Sequence, residues 1–460
     1  MADFGQEQIA IFAQNWFRSS DPAKAERFIQ KLEENEPIQE LASSPLLLTL
    51  LCLVFGESAD FPANRSELYK EGLDILLKKW DGKRNIEREQ LYKNLSLKRK
   101  EDLLSQIALI TFEQKDYFFK QKTLEAYISD FIRNLPNVDS DPEILRMDSE
   151  AVLKSIEAQH GLFVERAKNI YSFSHLTFHE YFTAREIDAN SIYSKLVKHI
   201  NEKRWREVFL LTTGMTRNAD ILLLLMKKEI DNLVALDEDL KLFLAWLGQK
   251  SSLVRTSHKP FTIRFFYFNL AHVRRVNVRT RGSTLVFDRP LDRSHSSLDC
   301  SLDRALILSL KLAQTLASTT GDTRTQVLIL DLVRSLDRSL KLIQGNKLHS
   351  ELQQLRNRLS QLSSKSRDHT QQSFERLWIE KRQIWSDKLG SVLLEHRNIG
   401  QDWQVSNRQK KLLRQYYDAN KLLVDCLNSD CYVSRDVRQE IEDTLLLPLS
   451  EIDRDRISST

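Results

Sequence analysis

Between Gly161 and Glu186 the hydrophobic period of the chain changes abruptly from that of strands to that of a helix. GLFVER and IYSFS are short runs of β-formers on either side of the polar turn Ala167-Lys168-Asn169, which is a hairpin pattern. HLTFHEYFTARE follows at once as a helix that opens on His175. Three helical segments precede the hairpin. The first buries Leu97, Leu104, Ile107, Ala108 and Thr111 or Phe112; the second buries Leu124, Tyr127, Ile128, Phe131 and Leu135 and stops at Pro136. The third is expected to be capped by Asp148, to turn Val152, Leu153 and Ile156 inward, and to end at Gly161. Three helices, a hairpin and a further helix make the winged-helix plan, a variant of the helix-turn-helix.

Nothing else in the chain asks for a sheet. Only 12 glycines and 9 prolines occur in 460 residues, and Leu, Lys, Glu, Gln and Arg are abundant, so the expected fold class is all-α, with one short β-hairpin in the wing. At the start, Ile9, Phe12 and Trp16 form a helical stripe, and Asp21-Pro22 is a cap and first-turn pair for a second helix. Ser44-Pro45 opens PLLLTLLCLVF, which is apolar on nearly every side and must be surrounded by other elements. A helix from Arg65 to Trp80 follows, with Leu68, Gly72, Leu73, Leu76 and Trp80 along one stripe. Beyond Glu186 come helical pairs up to Lys250, then a basic stretch that reads as a linker or a solvated helix face. A degenerate Leu/Asp/Arg repeat succeeds it, with Leu298, Leu302, Leu306 and Leu310 four apart and Asp and Arg expected on the wet side. From Leu348 the chain is again helical and rich in aromatic residues.

Several chemistries are excluded by what the chain lacks. No GxxxxGK followed by Ser or Thr occurs, and no GxGxxG, so no phosphate cradle is visible; VLILD at Val327 to Asp331 reads as helix within the repeat. His175, His179 and Glu180 form HxxxHE, but no third ligand accompanies the two imidazoles, so no metal site is assigned. DNA binding through the wing is disfavoured because the preceding helix carries Asp148, Glu150 and Glu157 against Lys154 alone. The basic patch Arg274, Arg275, Arg279 and Arg281 is the one candidate for nucleic acid. The 68 basic and 64 acidic residues otherwise nearly cancel, and four cysteines without disulfide density fit a reducing cytoplasm. The longest apolar run, Pro45 to Phe55, is too short for a bilayer core, which needs about twenty residues. No membrane partner is expected.

ELASSPLLLTLLCLVF, FPANRSELYKEGLDILLKKWD, EAQHGLFVER, YSFSHLTFHEYFTAREI and RWREVFLLTTGM closely resemble the region directly C-terminal to the NTPase core of NACHT proteins, notably cyanobacterial ones, within the STAND class of signalling ATPases. HRNIGQDW, QYYDANKLLVDCLNSDCYVSR and VRQEIEDTLLLP resemble the C-terminal helical domain of NACHT conflict-system proteins. The resemblance implies a helical domain over 1–82, a winged helix over 83–188, a second helical domain over 189–254 and a C-terminal helical domain over 348–460, with the basic linker and repeat read from the residues over 255–347 between them. It also implies two nucleotide-facing positions. The proline matching Pro45 lies against the adenine and ribose side of ADP, and the histidine matching His175 donates to the β-phosphate.

The residues by themselves allow blander roles for both, a helix-capping His175 and a first-turn Pro45. For His175 the first-turn amides and the positive end of the helix dipole independently favour an anion. The family's Walker segments lie upstream of the position of Phe4, so the chain is expected to be a truncated product, a remnant or one half of a split gene. As written it is expected to be no enzyme and to hold no cofactor. ADP or ATP with Mg, and ATPase activity, would come only with a core supplied upstream or in trans, and oligomerisation would follow activation. The expected function is the regulatory and interaction portion of a NACHT-type signalling or antiphage-defence protein. The alternative is a helical scaffold that binds a protein or nucleic acid independently of nucleotide.

Overall fold

The computed structural model describes residues 4–18, 21–62, 64–81, 96–135, 141–157, 162–254, 256–271, 297–318, 322–343, 345–365, 371–401, 403 and 405–449. Among these it is helical apart from one small sheet. The chain divides into two compact units, Met1–Asn232 with Gln415–Arg438, and Leu233–Arg414 with Gln439–Thr460.

The first unit opens with α1 (Gln6–Phe17), α2 (Pro22–Glu33), α3 (Glu36–Ala42), α4 (Pro45–Ser58) and α5 (Arg65–Asp81). α4 is the core of this group, with Leu47, Leu48, Leu50, Leu51, Cys52, Val54 and Phe55 all buried, and α1, α3 and α5 pack around it. The buried face of α1 differs from the expected stripe, for it is Ile9, Ala13 and Phe17. The reason is aromatic packing: Phe17 sits 5.8 Å from Phe28 and 6.2 Å from Phe55, while Phe12 and Trp16 stack on each other at 5.9 Å and Trp16 stays exposed. Close approach of α4 and α5 depends on Gly72. A Cβ at that position would lie 2.8 Å from Leu50 Cδ2 and 3.3 Å from Leu50 Cβ.

The winged helix comprises α6 (Leu97–Glu113), β1 (Phe119–Lys120), α7 (Gln121–Arg133), α8 (Pro142–Ser155), β2 (Phe163–Ala167), β3 (Ile170–Phe173) and α9 (Leu176–Ala189). α8 starts earlier than expected. Its cap is Asp141, whose carboxylate accepts from the amides of Glu143 at 2.9 Å and Ile144 at 3.2 Å, with Pro142 in the first turn. Asp148 is therefore a mid-helix residue, whereas Pro136 and Gly161 lie outside the described residues. The hairpin has a third strand, β1, giving an antiparallel sheet of order β1-β3-β2. Phe119 is paired with Tyr171 and Phe163 with Phe173, and the rings of Phe119, Phe163 and Phe173 meet at 4.7 to 6.2 Å under the sheet. Asn169, at φ +60°, makes the turn.

After α9 the unit continues through α10 (Tyr193–Leu196), α11 (Arg206–Met215) and α12 (Asp220–Asn232). Residues 415–438 return to it, where Tyr432 O accepts from Ala219 N at 2.9 Å and Asp220 Oδ1 from Ser434 N at 2.8 Å.

The second unit contains α13 (Glu238–Leu253), α14 (Pro260–Ala271), α15 (Leu298–Ser318), α16 (Asp322–Lys341), α17 (Lys347–Lys365) and α18 (Gln371–Arg397); two further helices are α19 (Asn407–Asn428) and α20 (Arg435–Thr444). Part of the basic stretch is built into this unit. Residues 260–271 form α14, whose Arg264 is buried and donates to Glu442 O at 3.1 Å, while Lys259 holds the Glu442 carboxylate at 2.6 and 2.7 Å. VLILD is helical, within α16. In the Leu/Asp/Arg repeat, Leu302, Leu306 and Leu310 are buried as expected, but Leu298 is exposed.

The expectation that the repeat's Asp and Arg all face water fails at Asp303, which has no exposed surface. Its carboxylate accepts from Lys250 Nζ at 3.0 Å, Tyr267 OH at 2.5 Å and Arg397 Nε at 2.6 Å, joining α13, α14, α15 and α18. Arg397 also reaches Asp299 at 2.9 Å, and Lys250 donates to Arg397 O at 2.7 Å. A buried anion shared by two cations is tolerable only with its polar atoms met in this way.

Two outcomes follow for stability. Gly72→Val should destabilise the first unit by about 1–3 kcal/mol through overpacking against Leu50, read as a lowered urea midpoint. Asp303→Ala leaves Lys250 and Arg397 facing a void and should cost the second unit about 3–5 kcal/mol, read by the same measurement.

Candidate functional site

The wing delivers α9 with its first turn open. Ser174 N is fixed by Leu162 O at 2.8 Å, and His175 then takes extended backbone angles as the N-cap of α9 without a side-chain capping bond. The His175 ring is at the surface. Partial burial, and secondarily the Arg166 guanidinium, hold its imidazole below the usual histidine range, so it is a neutral donor at pH 7. Arg166 is brought here by an irregularity in β2, where the register shifts between Glu165 and Ala167. Its side chain donates to Ser172 Oγ at 3.0 Å and to Ser174 O at 2.8 Å, which anchors a cation beside the residue preceding His175. One further polar atom of the turn, Thr177 Oγ1, is buried without a hydrogen-bond partner. The helix amides, the imidazole and the guanidinium together can receive an anion.

The second half of the HxxxHE pattern does something else. His179, one turn further along, is buried, its ring stacked on Phe173 at 4.6 Å and edge-on to Phe112 at 5.2 Å. Its Nε2 lies 3.0 Å from Ala108 O, and because a carbonyl only accepts, Nε2 carries the proton. Burial disfavours the imidazolium and pushes its pKa down to about 4. The two histidines thus have separate environments, and no group of three His, Cys, Asp or Glu that could hold a metal occurs among the described residues.

Pro45 is the first residue of α4, its carbonyl accepting from Thr49 Oγ1 at 2.9 Å. α4 packs on α5, α5 on α11, and α11 on α9, so α5 and α11 stand between the helix of Pro45 and the helix of His175. At that intermediate layer Arg65 Nε lies 2.9 Å from Glu207 Oε1. Glu180 shares the same surroundings. Burial, reinforced by the charge of Glu207 and opposed by Arg65, lifts its carboxyl to about 8. Burial raises Glu207 as well, against the pull of Arg65 and Arg206. The Tyr69 hydroxyl, fully buried beside them, is pushed up to about 12 mainly by desolvation.

The sequence pointed to His175 and Pro45 but not to Arg166, Thr177, Arg65 or Glu207. A strand irregularity and a three-helix junction leave no periodic signal. Arg274, Arg275, Arg279 and Arg281 lie outside the described residues.

Residues 65–187 match the family model for the winged helix-turn-helix domain C-terminal to NACHT, and residues 348–448 match the one for NACHT C-terminal helical domain 2. Both are domains that accompany a NACHT module on its C-terminal side. The chain therefore carries a NACHT C-terminal region, in agreement with the sequence resemblance. No curated protein matches the chain. Among the described residues no helix is long and apolar enough to cross a membrane.

The buried imidazole sets an acid limit on the fold. The folded-state pKa of His179 is below its ordinary value of 6.5, so its contribution to stability is full above pH 6.5 and is lost as pH falls toward about 4. Thermal unfolding of His179→Gln should show a shallower loss between pH 6.5 and 4 than the parent protein, at the expense of a lower melting temperature at pH 7.

Proposed function

We propose that the chain is the non-catalytic regulatory portion of a NACHT-type signalling or antiphage-defence NTPase, which closes over ADP when a NACHT core is present in the same polypeptide or in trans. The observation that carries this reading is the first turn of α9, where His175 caps the helix without a side-chain bond, Arg166 is anchored on Ser174 O and Thr177 Oγ1 has no partner. These groups suit the phosphate end of the nucleotide. The NACHT-type match of residues 65–187 supports placing that turn toward the core.

In this reading the core supplies the phosphate loop, the magnesium and any hydrolysis. His175 supplies one N–H to a terminal diphosphate oxygen, the α9 amides and Arg166 supply positive potential, and Pro45 lines the adenine and ribose side. Regulation then arises from differential contact, because a ligand shifts a two-state equilibrium only by its difference in affinity for the two states. An imidazole that meets ADP in the closed form alone stabilises that form.

The test is ADP retention by the chain combined with a NACHT core. A hydrogen bond to a charged group is worth about 1.5–3 kcal/mol, so His175→Ala should speed ADP release by roughly ten- to a hundredfold. Circular dichroism of the variant should be unchanged, since the ring is a surface group. Release at the parental rate would remove His175 from the nucleotide.

A further inference from the structure

The layer between the helices of Pro45 and His175 contains a charge imbalance that nothing in the phosphate reading uses. Three helices contribute: Arg65 of α5 pairs with Glu207 of α11, and the ring of Tyr69 of α5 lies 5.5 Å from that of Tyr181 of α9, the residue next to Glu180. Both carboxyl groups face Arg65; Arg206 also acts on Glu207, but it is held by Asp425 at 2.8 Å. We propose that Arg65, Tyr69, Glu180 and Glu207 form a proton-operated latch, which clamps α5 to α9 and α11 while Glu180 carries a proton and loosens when Glu180 ionises.

The argument rests on balance of charge in a confined place. Glu180 has only 9% of its surface exposed and Tyr69 none, so water screens the site poorly. With Glu180 protonated, Arg65 and Glu207 are a matched pair 2.9 Å apart. With Glu180 ionised, a second carboxylate is buried near Glu207 with no cation but the Arg65 already paired to Glu207, and like charges in such a place repel strongly. Relief comes from letting water in, and the element free to yield is the α5 seam with α11 and α9.

The other charged groups around α9 are engaged elsewhere. From α6, Glu101 and Asp102 hold Arg185 at 2.9 and 3.0 Å. From α10, Lys195 pairs with Glu113 at 2.7 Å. From β3, the Tyr171 hydroxyl donates to Glu157 at 3.2 Å. On α11 the neighbour of Glu207, Arg206, reaches Asp425 at 2.8 Å, and His179 on α9 is neutral. The direction of the proton affinity agrees with the geometry, since burial and Glu207 both raise the Glu180 carboxyl.

The consequence is mechanical. α5 packs on α4 through Gly72 and Leu50, so a loosened seam frees the α4–α5 pair from the winged helix. This holds whether or not a nucleotide is present, and it can fail while the ADP reading stands.

Hydrogen exchange of the full chain without nucleotide tests it. Protection of the α5 and α11 amides, corrected for intrinsic base catalysis, should fall about tenfold between pH 6.5 and 9, the factor that one pH unit of linked ionisation produces. Glu180→Gln should hold protection flat over that range. Glu207→Gln should do the same, because either neutral side chain restores one anion to one cation. A flat profile in the parent protein, or a fall that persists in either folded variant, would overturn the latch. Should Glu180→Gln not fold, the parent profile and Glu207→Gln decide the matter.

Discussion

The donation from His179 Nε2 to Ala108 O is the contact on which the first unit turns. It ties the middle of α9 to α6 and holds the imidazole flat against Phe173 at the end of the wing, so hairpin, helix and bundle share one junction. Burial keeps the ring neutral, although the bond to Ala108 O by itself favours the protonated form. With α9 fixed at its second turn, its first turn projects outward. His175 can then be exposed and available while its neighbour four residues on is core. A single helix serves as scaffold on one face and as an anion-facing end.

Glu180, adjacent to His179, makes the opposite demand. His179 adds stability as pH rises from about 4 to 6.5, whereas Glu180, with a folded-state pKa of about 8 against an ordinary 4.5, adds stability at low pH and loses it as pH rises toward 8. The two trends oppose each other in the mildly acidic range. Above it only the Glu180 trend is left. Consecutive residues on one helix thus give the junction a stability that declines on the alkaline side, where an ordinary buried histidine would leave it level.

The second unit solves a related problem differently. Asp303 is as buried as a side chain can be, yet Lys250, Tyr267 and Arg397 converge on it from three helices, and its oxygens are met. Such a centre specifies how α13, α14, α15 and α18 meet, because an apolar core accepts several packings and a shared carboxylate accepts few. In unit one the imbalance of charge leaves a degree of freedom; in unit two the balance removes one.

Much of this was legible in the residues. The all-α class, the hairpin over 162–173, the helix opening at His175 and the buried α4 all follow from local periodicity and caps, which are short-range properties of the chain. The resemblance to NACHT C-terminal regions rested on the same stretches. Other features needed neighbours distant in sequence. β1 is two residues long and exists only because Tyr171 and Ile170 pair with it. The inward face of α1 was decided by Phe28 and Phe55, and the burial of Asp303 by cations 53 residues before it and 94 after it. Arg65, Glu180 and Glu207 come together only when three helices pack. Periodicity and capping act within a few residues and are written in the sequence, while the charge state of a buried group depends on what the fold places around it, and that the tertiary structure alone decided.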